Sequence, residues 1–269
     1  MYIKTDKTKV FLKNFCRKDD VPTFFFHGFG GNSNSWSNIL EKLNHNTFAI
    51  DLPGHRKSDF LDINVKYTFN EWCNDFYFIL NHLNITKVNI CGYSLGGRLA
   101  MVFACRYKHM INSLIIESSS FGIENDVERY QRLLNDRENA DKIKVDLDSF
   151  MDEWQANDLF KKQQQRNKLA WTLQNSARRE HNSTQLSKSY LSFCLGDMPF
   201  IEDELMKLNF PIHYICGSED NKYVKMGKRL TYLNKNAHRY IIDNAGHNTH
   251  IEQPDLYIEL LDGILLDDI

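Results

Sequence analysis

A serine set between two glycines is the first place where this sequence can carry proton-transfer or covalent chemistry. The segment Gly92-Tyr93-Ser94-Leu95-Gly96 fits the pattern G-x-S-x-G. The residues before it predict a short buried strand, and those after it predict a helix. Such a strand-to-helix elbow raises a serine hydroxyl above the sheet, and small residues on either side let strand and helix approach closely. We therefore interpret Ser94 as a catalytic residue.

A histidine and a carboxylate must accompany this serine, because a free hydroxyl is both a weak nucleophile and a weak base. In this arrangement the acid and then the histidine follow the serine along the chain. The predicted strand 211–216 leads into a loop with Asp220, and the predicted strand 238–242 leads into a loop with His247. The sequence therefore predicts a triad of Ser94, Asp220 and His247.

Other residues near these loops are alternatives for the same roles. His250 lies just before the last helix and His238 begins a strand. Neither is placed as well as His247 in a loop at the carboxyl end of a strand. Asp220 is favoured over Glu219 because it comes later in the loop, and Asp243 is a more distant candidate. If these residues have no catalytic role, they are acidic residues of turns and a histidine at the surface.

The run HGFGG at residues 27–31 follows the apolar segment 23–26. Its position is typical of the loop that contributes a backbone N–H group to an oxyanion hole. We assign the two donors of this hole to the backbone N–H groups of Phe29 and Leu95. Two such donors in a dry site stabilise a developing negative charge. The alternative is a simple glycine turn.

Short apolar runs alternate with helical patterns along most of the chain, which predicts βαβ units and a mostly parallel sheet. Strands are predicted at 2–5, 9–15, 23–26, 47–51, 87–91, 113–118, 211–216 and 238–242, and helices at 69–83, 95–107 and 254–266. The segment 122–195 is charged and helical in period. We predict an α/β-hydrolase fold with helices on both faces of the sheet: a core of 1–121 and 196–269, and an inserted helical cap of 122–195.

Composition excludes several classes of protein. The chain has 269 residues, a net charge of −2 and 25% charged residues, so no general basic field points to nucleic acid. It lacks a signal-peptide pattern and an apolar run of about 20 residues. Its six cysteines form no CxxC pair and are typical of buried thiols in a reducing cytosol. We expect a cytoplasmic enzyme without metal, cofactor, nucleic-acid or membrane partner, and make no prediction of its oligomeric state.

Arg98 is a candidate for substrate binding. It lies four residues after Ser94 on the predicted helix, so the two side chains share a face. That face looks into the pocket, where a guanidinium is costly without an anionic partner. One explanation is a structural salt bridge, and the sharper one is a substrate carboxylate held beside the serine.

Three segments together resemble a known enzyme family. They are GYSLGGR at 92–98, CGSEDNKY at 216–223 and AGHNTHIEQP at 245–254. They resemble 2-succinyl-6-hydroxy-2,4-cyclohexadiene-1-carboxylate synthase, a menaquinone-pathway lyase on the α/β-hydrolase fold. The fold motifs are widely shared, whereas Tyr93, Arg98 and Asn248 are the more specific part.

The resemblance implies elimination of pyruvate from 2-succinyl-5-enolpyruvyl-6-hydroxy-3-cyclohexene-1-carboxylate. Ser94 then acts as a general base, the oxyanion hole stabilises charge delocalised from the carbanion, and arginines bind the carboxylates of the substrate. Matched to the family, Tyr93 and Arg98 flank the serine, and Arg132 and Trp154 come from the cap. A solvated helix face is the alternative for Arg132.

The third substrate arginine implied by the family is Arg178 or Arg179, since gaps in the alignment leave both open, and Arg178 is the residue chosen. A solvated helix face is again the alternative. Arg56 is a departure from the family, since many relatives have a glycine at this position. The sequence offers no functional explanation for it.

Two other functions are compatible with the motifs. A serine hydrolase (carboxylesterase, thioesterase or C–C hydrolase) would use Ser94 as a covalent nucleophile, but an apolar acyl substrate gives no reason for Arg98 beside it. A non-catalytic binding protein on the same fold is a third interpretation, against which the intact Ser, Asp and His set argues.

Overall fold

The computed structural model describes residues 1–15, 20–160 and 162–267. These residues form a single sheet of nine strands. The strands are β1 (Tyr2–Lys4), β2 (Thr8–Phe15), β3 (Thr23–Phe26), β4 (Thr47–Ile50), β5 (Asp59–Phe60), β6 (Val88–Tyr93), β7 (Ile111–Glu117), β8 (Ile212–Gly217) and β9 (Ala237–Ile242). The eight predicted strands are present with ends shifted by at most two residues. The two-residue β5 is too short to leave a pattern in the sequence.

The strand order is β1-β2-β4-β3-β6-β7-β8-β9, and β5 pairs with β2. β2 is antiparallel to each of its neighbours, β1, β4 and β5. The remaining pairs, β4-β3-β6-β7-β8-β9 in spatial order, are all parallel. Because the carboxyl ends of parallel strands meet at one edge, the loops after β3, β6, β8 and β9 converge there. This arrangement confirms the predicted fold class.

Helices cover both faces of the sheet. They are α1 (Ser37–Leu40), α2 (Phe69–His82), α3 (Leu95–Arg106), α4 (Asp126–Val145), α5 (Leu147–Gln155), α6 (Gln163–Arg166), α7 (Lys168–Arg179), α8 (Ser183–Ser192), α9 (Glu202–Leu205), α10 (Asn221–Leu233), α11 (Thr249–Glu252) and α12 (Pro254–Asp267). Helices 69–83, 95–107 and 254–266 were predicted to within one residue at each end. Four-residue helices such as α1, α9 and α11 span about one turn and show no period that a sequence reveals.

Five helices, α4 to α8, follow β7 and precede α9 in the chain, and this stretch is here called the cap. No strand occurs among its described residues. The helices enclose a small apolar cluster that includes Ile143, Phe150, Met151 and Leu186. Asn125 caps the start of α4, where its side chain accepts hydrogen bonds from the N–H groups of Val127 and Glu128. The helical character predicted for 122–195 is present, and the division into core and cap at those boundaries stays a prediction.

The strands are buried on both sides, as expected of a parallel sheet covered by helices. One apolar layer contains Trp72 and Phe76 of α2 against Phe26, and the other contains Trp36 and Tyr257 against Phe25. Of the cysteines, 73, 91, 105, 194 and 216 carry free thiols, and Cys16 lies outside the described residues. No helix formed by the described residues is long and apolar enough to cross a bilayer.

The crossing of β6 and α3 requires glycine at its closest points. A Cβ on Gly96 would overlap the carbonyl oxygen of Phe26, and one on Gly92 would lie 2.5 Å from the carbonyl oxygen of Gly96. These neighbours are backbone atoms, which cannot rotate away. Gly263 of α12, in contrast, has open space around its Cβ position.

We predict that Gly96→Ala lowers the free energy of unfolding by about 3 kcal/mol, because it overpacks this crossing. Gly263→Ala should raise it by about 0.5–1 kcal/mol, since alanine is the better helix former. Urea denaturation of both variants measures the two changes. Equal stabilities of the two variants would show that the crossing is not tightly packed.

Candidate active site

Ser94, His247 and Asp220 form a hydrogen-bonded chain at the carboxyl edge of the sheet. The Nε2 atom of His247 lies 3.2 Å from the Oγ atom of Ser94, and its Nδ1 atom lies 2.7 Å from Oδ2 of Asp220. His247 and Asp220 are buried. A carboxylate on the Nδ1 side selects the tautomer whose Nε2 accepts the hydroxyl proton. The geometry is that of a catalytic triad.

Ser94 sits in the sharp turn between β6 and α3. Its backbone has φ 51° and ψ −106°, in the left-handed range that costs free energy for a residue other than glycine. Its carbonyl group accepts hydrogen bonds from the Ser119 hydroxyl at 2.7 Å and from the Arg98 N–H at 3.1 Å. These bonds and the close crossing of strand and helix hold the strained turn in place.

The alternative triad residues lie elsewhere. Glu219 forms ion pairs with Lys162 and Arg166 of the cap. Asp243 and His238 are exposed. His250 is buried 2.7 Å from Glu117, which also accepts a hydrogen bond from the Thr249 hydroxyl.

Glu117 and His250 form a second acid–histidine pair beneath the site. Burial raises the pKa of Glu117, but attraction and hydrogen bonds from His250 outweigh it and lower the pKa overall. The His250 ring stacks on Trp36 at 4.1 Å and meets the Tyr93 ring edge-on at 5.0 Å. The backbone N–H of Ser94 donates to the Glu117 carbonyl at 2.9 Å, and the His250 N–H donates to the Glu117 carboxylate at 3.2 Å. The pair therefore supports the elbow and the histidine loop from below.

The loop that carries His247 is also braced from the side. Glu252, on α11, accepts hydrogen bonds from the N–H groups of Gly246 at 2.9 Å and Asn248 at 3.3 Å. Its carboxylate is paired with Arg166 of the cap. The position of the histidine therefore depends on α11 and, through one ion pair, on the cap.

The backbone N–H groups of Phe29 and Leu95 lie on the two loops that the sequence assigned to an oxyanion hole. Leu95 begins α3, where the first N–H groups have no acceptor within the helix. Among the described residues neither N–H group has a hydrogen-bond acceptor. Two free donors beside a serine are what an oxyanion hole requires, and this role stays a prediction.

Arg98 and Arg132 meet in a small cavity next to Leu95. Arg98 donates to the carbonyl oxygen of Phe193 at 2.9 Å, and among the described residues no carboxylate forms an ion pair with it. Burial, and then the charge of Arg132, lowers the pKa of Arg98. Arg132 is paired with the buried Asp136 at 2.8 Å, and its role in binding substrate stays a prediction.

Lys222, at the start of α10, was not assigned to the site from the sequence. Burial, and then the charge of Arg132, lowers its pKa. With Arg132 it lines an open cavity of about 800 Å³. Its place two residues after Asp220 was the available signal, since the first turn of the helix that follows the acid lies beside the same strand ends.

The two candidate cap arginines differ sharply. Arg179 is paired with Asp148 and Asp152 on the surface of α5. Arg178 is 3% exposed, and among the described residues no carboxylate pairs with it. Its side chain lies over the Phe160 ring at 5.2 Å and approaches Gly30. Burial lowers the pKa of Arg178 to about 10, which marks an uncompensated buried cation.

Trp154 and Tyr93 both pack against the loop 27–31, here called the oxyanion loop after its predicted role. The Trp154 ring meets the Phe29 ring at 5.1 Å, and its indole Nε1 is buried without a hydrogen-bond partner. Tyr93 lies beneath the loop, where a Cβ on Gly28 would come within 2.6 Å of its ring. The unpaired Nε atom of Arg178 is a second orphaned donor near this loop. Buried donors without partners point to an absent polar ligand.

Known proteins are similar to this chain in fold and in sequence. A family model described as the alpha/beta hydrolase fold matches residues 22–254. A protein of Enterobacter sp. (strain 638) named 2-succinyl-6-hydroxy-2,4-cyclohexadiene-1-carboxylate synthase is 31% identical over 232 residues, which are 86% of each chain. A Bacillus subtilis (strain 168) protein provisionally given that name is 31% identical over 89% of this chain and 88% of its own. This chain belongs to the 2-succinyl-6-hydroxy-2,4-cyclohexadiene-1-carboxylate synthase family.

Solved structures agree with this membership. The structure of MenH from S. aureus superposes with a TM-score of 0.89 at 26% identity, and covers 96% of this chain and 98% of its own. A thermophilic esterase from Thermogutta terrifontis has a TM-score of 0.82 at 18% identity over 100% of this chain and 99% of its own, which shows the shared fold alone. The enzyme family predicted from the three motif segments is confirmed.

We predict that a fluorophosphonate probe labels Ser94 of this synthase-family chain, because the His247–Asp220 pair activates its hydroxyl. Asp220→Asn should slow labelling by at least about 100-fold, since the tautomer of the histidine is lost. Glu219→Gln is the matched control and should label at nearly the wild-type rate. Intact-protein mass spectrometry gives both rates. Similar rates in the two variants would remove Asp220 from the triad.

Proposed function

We propose that this chain eliminates pyruvate from 2-succinyl-5-enolpyruvyl-6-hydroxy-3-cyclohexene-1-carboxylate to give 2-succinyl-6-hydroxy-2,4-cyclohexadiene-1-carboxylate. Its catalytic residues are Ser94, Asp220 and His247, with the N–H groups of Phe29 and Leu95 as the oxyanion hole. The proposal places the enzyme in menaquinone biosynthesis in the cytoplasm. Family membership supports the reaction, and the geometry of the triad supports the residues.

The observation that carries the proposal is the buried, unpaired Arg178 beside the oxyanion loop. A guanidinium in this position costs free energy unless an anion binds it. The substrate carries several carboxylates, and one of them is the natural partner. Arg98 and Arg132 provide a second anion site in the cavity next to Leu95, where Asp136 is the only acidic side chain among the described lining residues.

The triad supplies a base in this reaction. His247, held by Asp220, takes the hydroxyl proton of Ser94, and the Ser94 oxygen removes a proton from the cyclohexene ring of the substrate. The electron pair of that C–H bond forms the new ring double bond, and the C–O bond to the enolpyruvyl group breaks. The departing enolate of pyruvate takes up a proton and becomes pyruvate. No acyl-enzyme forms, so the serine need not carry a covalent intermediate.

The oxyanion hole stabilises the charge that the ring carbanion delocalises onto a substrate oxygen. The N–H groups of Phe29 and Leu95 supply this stabilisation without reorganisation, because both belong to fixed turns. Tyr93 and Trp154 pack around the same loop and exclude water from it. Arg178 holds a carboxylate next to these donors, which orients the ring toward Ser94.

The cavity beside Leu95, Arg98 and Trp154 has a volume of about 30 Å³. This is about the share of liquid volume that one water molecule occupies, far below the size of the substrate. Entry therefore requires movement of the side chains or helices above it. The cavity of about 800 Å³ at Arg132 and Lys222 lies on the other side of Arg132, and its lining includes both cationic and acidic side chains.

We expect the wild-type chain to release pyruvate from the enolpyruvyl-cyclohexene precursor and to cleave a p-nitrophenyl ester negligibly. Ser94→Ala should lose at least about 1,000-fold in kcat while it remains folded, because it lacks the base. A coupled lactate dehydrogenase assay measures pyruvate. Retained turnover in Ser94→Ala would remove the serine from the mechanism. Ester cleavage without pyruvate would instead support the serine-hydrolase alternative.

Arg178→Gln should lower kcat/KM by about 10- to 100-fold, because a charge-assisted hydrogen bond to the substrate carboxylate is lost. The same variant should not lower the melting temperature, since the uncompensated buried charge is removed. Arg179→Gln, its neighbour in the chain, is the control. It loses only surface ion pairs and should keep kcat/KM within about threefold. Equal effects of the two substitutions would reject Arg178 as the anion site.

A further inference from the structure

Three buried histidines fix three successive peptide groups of the oxyanion loop. The Nδ1 atom of His27 lies 2.7 Å from the carbonyl oxygen of Gly28, which shares a peptide group with the Phe29 N–H. The Gly30 N–H donates to Nε2 of His55 at 3.2 Å. The Gly30 carbonyl lies 2.9 Å from Nε2 of His181. Each peptide from 28 to 31 thus has one histidine partner.

The protonation state of the three rings follows from the backbone. Nε2 of His27 accepts from the Leu52 N–H at 3.0 Å, and Nδ1 of His181 accepts from the Arg56 N–H at 2.9 Å. A backbone N–H is always the donor, so each of these nitrogens carries a lone pair and the opposite nitrogen carries the proton. The same argument places the proton of His55 on Nδ1. All three rings are therefore neutral.

Burial agrees with this assignment, since it lowers the pKa of both His27 and His181 to about 4. The pKa of His55 is lowered first by burial and then by the other two histidines. Because each ring has a lone pair already engaged by a backbone N–H, the cluster has no free ligand for a metal. In the described residues no group of metal-ligating side chains is suitable for an ion.

His181 differs from the other two because it comes from the cap, between α7 and α8. Two successive hydrogen bonds connect the His181 ring to the peptide group of the Phe29 N–H. The peptide that presents the Gly30 carbonyl to His181 also carries the Gly31 N–H, which donates to the Gly28 carbonyl at 3.0 Å. The Gly28 carbonyl and the Phe29 N–H are two ends of one rigid peptide plane. The cap thereby acts on the orientation of the proposed donor.

The same contact accounts for Arg56, the departure from the family pattern noted in the sequence. Arg56 has a positive φ of 50° and donates its backbone N–H to His181. Its guanidinium forms an ion pair with Glu180, the residue before His181. Both groups hold the histidine in place from the core side of the cleft.

We infer that His181 is a positioning residue for the oxyanion hole, which orients the Phe29 N–H through the Gly30 and Gly28 carbonyls. This inference rests on the proposed function in that it takes the Phe29 N–H as the catalytic donor. It adds a requirement that the cap be seated for the hole to be formed. The cap then completes the catalytic site in addition to binding substrate.

Two substitutions separate the bonds of His181. His181→Gln places an amide near the position of Nε2 and retains the bond to the Gly30 carbonyl. His181→Asn places an amide near Nδ1 and retains only the bond from the Arg56 N–H. We expect His181→Asn to lower kcat of pyruvate release by about tenfold or more with KM changed by less than about threefold, as loss of transition-state stabilisation requires. His181→Gln should stay within about threefold of wild type.

The rate of fluorophosphonate labelling of Ser94 gives a second readout, because that reaction also develops charge in the oxyanion hole. It should fall in His181→Asn and not in His181→Gln. If the wild type releases no pyruvate, the proposed reaction fails, while the two labelling rates still decide the role of His181. Lys142→Gln, which breaks an exposed ion pair with Glu153 within the cap, is the control for general effects of the cap.

His27 offers a second pair of variants with the opposite expectation, and keeps the test decisive if His181→Asn fails to fold. Here Asn retains the bond from Nδ1 to the Gly28 carbonyl and Gln loses it. His27→Asn should therefore be the more active of the two. Equal loss in Gln and Asn at these positions, or no loss in either, would overturn the inference. A rise in KM with kcat unchanged would overturn it as well.

Discussion

The reversal of the chain at Ser94 is the constraint on which the rest of the site depends. A serine at φ 51° is strained, and it persists because the surrounding structure fixes it. Gly92 and Gly96 let the backbones of β6, α3 and β3 cross at contact distance. That crossing brings the loop after β3 next to the start of α3. One packing requirement therefore places the serine and both proposed oxyanion donors.

The partners of the serine are then positioned by buried polar groups. Asp220 follows β8 and His247 follows β9, so the parallel order of these strands brings them to the same edge as the elbow. The histidine loop is held by Glu252, and the elbow is supported by the Glu117–His250 pair below it. Each of these carboxylates is buried with its hydrogen bonds made, as a buried charge requires. Arg178 breaks this rule, which is why it indicates a ligand.

The sequence predicted those features whose causes are local. G-x-S-x-G between strand and helix, and the loops that end in Asp220 and His247, depend on short segments with fixed offsets. The roles of Arg178 and Arg179 were left open because neighbouring residues of one helix point in different directions, and only the packing of α7 decides which is buried. Lys222 and His181 were not assigned, because their importance comes from contacts with segments about 90 to 150 residues away. Such long-range contacts leave no periodic signal.

The end of α7 joins two functions that a fold with a separate cap can otherwise keep apart. Arg178, in its last turn, and His181, just beyond it, both approach Gly30, the first with its alkyl chain and the second with a hydrogen bond. A carboxylate bound at Arg178 would therefore favour the cap position in which His181 holds the oxyanion loop. Binding free energy from a group remote from the reacting bond is in this way directed to the reacting centre. Under this proposal the seated cap also excludes water, which protects a carbanion from random protonation and suits an elimination better than a hydrolysis.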